Sequence, residues 1–210
     1  MYKIFVADDH DLIREGIKNV INDEIDLEVI GEAKNAGEVI EFFHQNDCDV
    51  LVLDITMPGR SGLDVLKEIQ SLGKKARVLI LSMHPEERFA IRTLKAGAAG
   101  YITKEKASDE LIKAIRKVVT GKKYVSETVA ENLIDALSDQ GSGPPHLHLS
   151  DREYEVFELI ARGVPTSSIA DKLSLSQNTI NTYRARVLEK MDMKTNAEIV
   201  RYAVKHGLIE

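Results

Sequence analysis

One cysteine in 210 residues rules out an internal disulfide. Cys48 stands just ahead of a Val/Leu run and reads as a small buried apolar residue, not a redox centre. Long hydrophobic runs are also missing. None approaches the roughly 20 residues that cross a bilayer, and the start of the chain lacks the charged-then-apolar layout of a signal peptide. A cytoplasmic protein with no membrane partner is therefore expected. An excess of basic charge is lacking as well: 28 Lys and Arg face 34 Asp and Glu, for a net charge of −6. That balance argues against a nucleic-acid partner for the chain as a whole. Residues 149–210, however, carry about 9 of each sign, so the acidity belongs to the first part. Any phosphate binding in the second part has to come from a local cluster.

What is present is a repeating pattern. Short Val/Ile/Leu runs at 3–7, 27–33, 50–53, 78–81 and 100–103 alternate with amphipathic stretches at 11–21, 37–45, 63–72, 86–96 and 108–120. Strands alternating with helices of this size predict right-handed crossovers and a covered parallel sheet. In the first helix Leu12, Ile13, Ile17, Val20 and Ile21 form the apolar stripe, and Ser108 is the predicted cap of the fifth. A domain over 1–122 follows, a doubly wound five-stranded α/β fold. A linker is expected over 123–148, containing a helix at 127–137 and then Ser138-Asp139-Gln140-Gly141-Ser142-Gly143-Pro144-Pro145. Beyond it only helices are signalled. Ser150-Asp151-Arg152-Glu153 and Thr195-Asn196-Ala197-Glu198 are capping boxes, and Gly163 and Gly207 close the helices they open. Between them, 167–173 and 177–191 are joined by three residues, as in a helix-turn-helix. The second domain, 149–210, is smaller and all-α.

Four of the strand-like runs end in a polar residue that a core would not choose: Asp8-Asp9, Asp54, Ser82 and Lys104. In an open parallel sheet these ends meet in one crevice, where ligands collect. Three converging carboxylates repel one another unless a divalent cation sits among them, and oxygen ligands favour Mg2+. Lys104 and Ser82 supply a positive charge and a hydroxyl opposite, an arrangement suited to a phosphoryl group transferred to Asp54.

Asp8-Asp9-His10, the run from Asp54 through Thr56 and Pro58 to Gly62, Ser82 and Lys104 together resemble the receiver domain of two-component response regulators. The resemblance implies that Asp54 accepts a phosphoryl group from a histidine kinase. It implies too that Asp9, Asp54 and the backbone carbonyl of Thr56 ligate Mg2+, with Asp8 acting through water. Ser82 and Lys104 would contact the phosphoryl group, and Tyr101 matches the aromatic that moves with the serine. The 86–96 helix and the strand through Tyr101 would carry the signal. Phosphorylation then acts as a switch, its negative charge stabilised by local pairing.

The 177–191 helix offers Gln177, Asn178, Thr179, Asn181 and Thr182 near its start, with Arg184, Arg186 and Lys190 beyond. Amides and hydroxyls suit base edges in a major groove, and basic residues suit phosphates. The motifs Leu149 to Glu153, Glu155-Val156, Ile160 to Gly163, Ile169-Ala170, Leu173, Thr179-Ile180, Tyr183-Arg184 and Lys190-Met191 resemble the LuxR-type helix-turn-helix. With the receiver they match the NarL/FixJ class of response regulators, which bind double-stranded DNA and dimerise on phosphorylation. That likeness makes 177–191 the recognition helix and 196–206 the dimerisation helix, with Ile199, Tyr202 and Ala203 as dimer contacts. Asn181 stands where the family usually has Lys, Tyr183 where it has His, Asn196 where it has Arg, and Thr166-Ser167-Ser168 replaces Asn-Lys-Glu. Fewer basic residues weaken the salt-dependent phosphate term, so DNA binding should lean on dimerisation.

Two other classes compete with a phosphorylation-gated transcription regulator. A haloacid-dehalogenase-like phosphatase also uses an aspartate nucleophile, but it needs a second Asp two residues on, where this chain has Thr56; turnover as an enzyme is not expected. A receiver that works through protein contacts is the other. His10 and His84 flank the acidic motifs and fit a loop role, while His146 and His148 read as solvated linker residues, with no third ligand nearby.

Overall fold

The computed structural model describes residues 1–57, 60–83, 86–127, 129–130, 144–173 and 175–209. The chain divides into two compact units, Met1–Gln140 and Gly141–Glu210.

In the first unit five strands, β1 (Tyr2–Ala7), β2 (Leu27–Ala33), β3 (Val50–Asp54), β4 (Arg77–Ser82) and β5 (Gly100–Thr103), alternate with α1 (Asp11–Asn22), α2 (Ala36–Gln45), α3 (Gly62–Ser71), α4 (Glu86–Lys95) and α5 (Ala107–Val119). The sheet runs β2-β1-β3-β4-β5 with every pair parallel. The order reverses at β1 and β3, and that switch point opens a crevice beyond their carboxyl ends. All five residues of β3 are buried, as expected of a central strand covered on both faces. One face packs Ile17 and Ile21 of α1 and Leu111, Ala114, Ile115 and Val118 of α5 against β1, β3 and β4. Fully burying each Leu or Ile contributes about 1.5–3 kcal/mol. Together they make a rigid floor under the crevice.

The α1 stripe differs from expectation. Leu12 is 87% exposed and Val20 37%, and the buried line runs through Arg14, Ile17 and Ile21. At 100° per residue those three share one face, while residue 20 lies to its side and residue 12 nearly opposite. Ser108 does not cap α5, which begins at Ala107 after a 3-10 turn at Lys104–Lys106; its hydroxyl donates to Asp109 Oδ1 instead. The first unit also reaches past residue 122. Tyr124 lies along β5, donating its N–H to the Ala99 carbonyl at 2.9 Å and accepting from Tyr101 N at 3.2 Å, and Val129 is buried. The expected 127–137 helix and the Gly/Ser run fall largely outside the described residues.

Cys48 is 8% exposed and its Sγ donates to the Val50 carbonyl at 3.4 Å. Burial, with Asp47 and Asp49 adding to it, pushes the thiol up to about 12. Alkylation by iodoacetamide at pH 8 is therefore expected to be at least about tenfold slower in folded protein than in denatured protein, since only thiolate reacts. Equal rates would contradict this burial.

The second unit is α6 (Asp151–Ala161), α7 (Thr166–Lys172), α8 (Gln177–Lys190) and α9 (Asn196–Lys205) around Val156, Phe157, Ile160, Ile169, Ile180, Val187, Ile199 and Ala203. Reciprocal capping boxes start α6 at Ser150/Glu153 and α9 at Thr195/Glu198. Gly163 (φ 76°) and Gly207 (φ 61°) follow the ends of these helices in the left-handed conformation that closes a helix. His146 belongs to this unit. It lies in a 3-10 turn, Pro145–His148, with Nδ1 2.8 Å from the Tyr202 hydroxyl, so it is packed against α9 and is not a solvated linker residue.

Candidate functional site

At the switch point the ends of β1 and β3 bring Asp8, Asp9 and Asp54 together, and the turn after β5 brings Lys104. The loop from β3 into α3 closes tightly. Ser61 caps α3 by accepting from Asp64 N, and Gly62 N donates to the Ile55 carbonyl at 2.9 Å. A Cβ on Gly62 would stand 2.5 Å from the Asp54 carbonyl oxygen, so only glycine lets the helix start this near the aspartate.

Asp8 and Asp54 are almost wholly buried, at 1% and 2% exposure. Lys104 Nζ is 2.7 Å from Oδ2 of each. Thr56 N donates to Asp54 Oδ1 at 3.0 Å, and His10 N to Asp8 Oδ1 at 2.8 Å. One lysine serves two carboxylates, and the balance is uneven. Burial, with the Asp8 charge adding to it, pushes the Asp54 carboxyl up to about 6 against the pull of Lys104 and the Thr56 N–H. Burial opposes the Lys104 charge too, yet Asp54 and Asp8 hold the ammonium above its ordinary range. These two shifts have different sources: the lysine gains two charged partners, while at Asp54 burial outweighs the pull of the partner it has, the Asp8 charge adding a smaller push.

This donor set fits a divalent cation. Asp8, Asp9, His10 and Asp54 each offer a ligand atom, all within 4.8 Å of one another. Among the described residues Asp9 Oδ1 is a buried oxygen without a hydrogen bond of good geometry, whereas Asp8 Oδ2 has the Lys104 ammonium at 2.7 Å. Such oxygens are costly unless a positive charge compensates them.

Ser82 ends β4 fully buried, paired in register with Thr103 of β5, and Tyr101, two residues earlier in β5, is 2% exposed. Beside them Glu86, at the start of α4, meets Lys106 at 3.1 Å. His84 lies outside the described residues.

Arg14 was not singled out by its sequence context. It is 3% exposed, and it donates to the Asp8 carbonyl at 2.8 Å, to Glu32 Oε2 at 3.0 Å and to Asp11 Oδ1 at 2.5 Å. It ties the end of β1 to α1 and β2. An arginine at an apolar-stripe position, three before Ile17 and seven before Ile21, is the signal that marks it.

In the second unit the exposed face of α8 presents Gln177, Asn178, Asn181, Thr182 and Arg186, with Thr179 half-buried. Two of the expected phosphate contacts are engaged within the unit. Arg184 Nε donates to Asn196 Oδ1 at 2.6 Å, and Lys190 Nζ to Glu153 Oε2 at 2.6 Å. Asn196, where an arginine was the familiar residue, thus orients Arg184. The expected dimer contacts need correcting. Ile199 and Ala203 are fully buried in the unit's own core, and Tyr202 is engaged by His146 and lies against the His206 ring, tilted by 32° with centroids 4.2 Å apart. The outward face of α9 is Ala197, Arg201 and Val204, the last 59% exposed.

A doubly wound sheet with a lysine-braced aspartate at its switch point, followed by a helix-turn-helix, defines a phosphoacceptor switch joined to a DNA reader. Residues 4–116 match the response regulator receiver domain, and residues 147–203 match the bacterial regulatory proteins of the luxR family. The chain belongs to the response regulators of this two-domain, LuxR-type class. It is 35% identical to the response regulator GacA of Pseudomonas aeruginosa, over 100% of this chain and 99% of GacA. It is 31% identical to the response regulator UvrY of Escherichia coli K12, over 99% and 96%. Among solved structures it resembles RcsB of Salmonella enterica serovar Typhimurium bound to the promoter rprA in the presence of phosphomimetic BeF3−. There the TM-score is 0.65 and the identity 25%, over 96% of this chain and 98% of that one. No helix among the described residues is long and apolar enough to cross a membrane.

Proposed function

We propose that this protein is the cytoplasmic output element of a two-component system, in which Asp54 takes a phosphoryl group from a histidine kinase and the second unit binds promoter DNA as a dimer. The observation that carries this reading is the single lysine held 2.7 Å from both buried carboxylates. Asp54 attacks phosphorus, the P–N bond of the phosphohistidine breaks, and the imidazole leaves. Asp9, Asp54 and the Thr56 backbone carbonyl would hold Mg2+, with Asp8 reaching it through water; the ion supplies charge neutralisation for the transferring group. Lys104 then leaves the Asp54 carboxylate for a phosphoryl oxygen. Ser82 turns to the same group, and Tyr101 follows into the space the serine vacates. Thr56, two residues after Asp54, offers no carboxyl to protonate a leaving group, so the chemistry is confined to self-phosphorylation and autodephosphorylation of the receiver and no multiple-turnover enzyme results.

On DNA, Gln177, Asn178, Thr179, Asn181 and Thr182 face the bases, and Arg184 and Arg186 the phosphates. Lys190 is withdrawn from that role by Glu153. Dimer contact falls to the outward face of α9, with Val204 and Arg201 in place of Ile199 and Ala203. RcsB dimers bound to two parallel DNAs have been solved, and this chain resembles them with a TM-score of 0.59.

The test is mass, assembly and promoter affinity with and without acetyl phosphate or beryllofluoride, in wild type and Asp54→Ala. Wild type is expected to gain one phosphoryl group, dimerise and bind a double half-site more tightly than a single one. No change in assembly or affinity sinks the gating, and no shift of any genomic fragment sinks the DNA reading in favour of protein contacts. Restoring a basic residue by Asn181→Lys is expected to steepen the salt dependence of binding by about one unit of log K per log salt and to tighten binding to unrelated duplexes too. An unchanged slope would place residue 181 away from the phosphates.

A further inference from the structure

We infer that His10 supplies a nitrogen ligand to the cation held by Asp9 and Asp54, so that the pocket prefers a first-row transition ion such as Mn2+ to Mg2+. The inference rests on the pocket being a cation site, and it changes the chemical class of the cation.

The geometry at the mouth of the crevice is that of ligands sharing an ion. His10 Nδ1 lies 2.8 Å from Asp9 Oδ1 and 3.3 Å from Asp8 Oδ1. Yet Asp9 Oδ1 is a buried oxygen with no hydrogen bond of good geometry among the described residues, so this close approach is not an aligned hydrogen bond. Asp9 and His10 each offer a ligand atom to a cluster that also takes in Asp8 and Asp54, all within 4.8 Å of one another. With bonds of about 2.1 Å, adjacent positions around one ion lie about 3 Å apart. Asp8, nearly all buried, adds Oδ1 at 3.3 Å from His10 Nδ1, while its Oδ2 is held by Lys104.

The remaining sides are already taken. Lys104 occupies Oδ2 of both Asp8 and Asp54, leaving the face toward His10 for a cation. Each carboxylate oxygen that accepts a backbone N–H, Asp8 Oδ1 and Asp54 Oδ1, keeps a second lone pair. The His10 backbone is pinned by its N–H to Asp8 Oδ1, and its side chain is 60% exposed, so a hydrated ion reaches Nδ1 from solvent. Mg2+ takes oxygen ligands and keeps its waters, whereas imidazole suits transition ions. Exchanging one water for imidazole gains little for Mg2+ and more for Mn2+.

The experiment is Mn2+ binding to full-length protein at pH 8, read by electron spin echo modulation and by competition with Mg2+, in wild type, His10→Ala and His10→Gln. Wild type is expected to show nitrogen modulation, lost in both variants, with Mn2+ affinity falling about tenfold and Mg2+ affinity changing less than about twofold. Bound Mn2+ without nitrogen modulation, modulation that survives either substitution, or equal losses for the two ions would each overturn the role of His10. Mn2+ binding that survives Asp9→Asn would place the ion elsewhere and overturn it as well. Phosphoryl uptake in Mg2+, followed by intact mass on the same samples, reports separately on the phosphoacceptor reading; uptake without nitrogen modulation removes only His10's part.

Discussion

Asp54→Asn is expected to abolish phosphoryl uptake from acetyl phosphate completely, with no mass gain under conditions in which wild type is modified. The amide has no nucleophilic oxygen, and Asp8 and Asp9 approach the crevice from a different strand. The same substitution is expected to stabilise the metal-free receiver. In wild type the folded Asp54 carboxyl sits at about 6 because burial outweighs the pull of Lys104. The unfolded value is near 3.8, so the folded state binds this proton more tightly. The group's contribution to stability is therefore fully present below about pH 4 and lost as pH rises through 6. Asparagine loses nothing over that window, and Lys104 keeps Asp8 as a partner. The variant's advantage should grow with pH to about 2–3 kcal/mol above pH 6, as read from urea midpoints at pH 4, 5, 6 and 7 without divalent cation. An offset that does not vary with pH would show that Asp54 titrates alike in both states.

The second large effect lies in the other unit. Glu153 is 3% exposed, and its Oε2 accepts from both Ser150 N and Lys190 Nζ at 2.6 Å. Burial opposes its charge, but Lys190 and the Ser150 N–H hold the carboxyl below the usual range. One side chain thus closes the start of α6 and fastens the end of α8. Glu153→Ala is expected to cost about 2–3 kcal/mol: about 1 for the lost cap, the rest for the ion pair, discounted because Lys190 is half-exposed. Glu153→Gln keeps an acceptor for Ser150 and should recover the cap alone. Hydrogen exchange reads this directly, since the first-turn amides of α6 and the last-turn amides of α8 should lose protection while those of α3 do not. Loss confined to α6 in the alanine variant would show that Lys190 does not hold α8.

The five βα units and the meeting of Asp8, Asp9, Asp54 and Lys104 were legible in the sequence because buried parallel strands write continuous apolar runs, and each run ends where its chemistry begins. Capping boxes at Ser150 and Thr195 were legible for the same local reason. What stayed hidden depends on partners distant in the chain. Arg14 looks like a helix-surface residue until the Asp8 carbonyl and Glu32 are set beside it. Lys190 looks like a phosphate ligand until Glu153, 37 residues away, is found at 2.6 Å. Ile199 and Ala203 carry the composition of an interface and the burial of a core, and only the packing of α9 on α6 separates the two. His146 gave no periodic signal, and its contact with Tyr202 spans 56 residues.

The short pairing of Tyr124 with β5 has a consequence for self-association. A sheet's last strand leaves a row of amides and carbonyls open, a template on which a second chain can lay down another strand. Here Tyr124 claims the Ala99 carbonyl and the Tyr101 amide on that side. Gly100 leaves no room for more: a Cβ there would stand 2.7 Å from the Tyr124 carbonyl oxygen. A fragment cut at residue 122 would bare this edge. It should gather into edge-to-edge oligomers that a fragment ending after Ala130 avoids, so a few residues beyond α5 act as a selvedge that keeps the sheet from being extended.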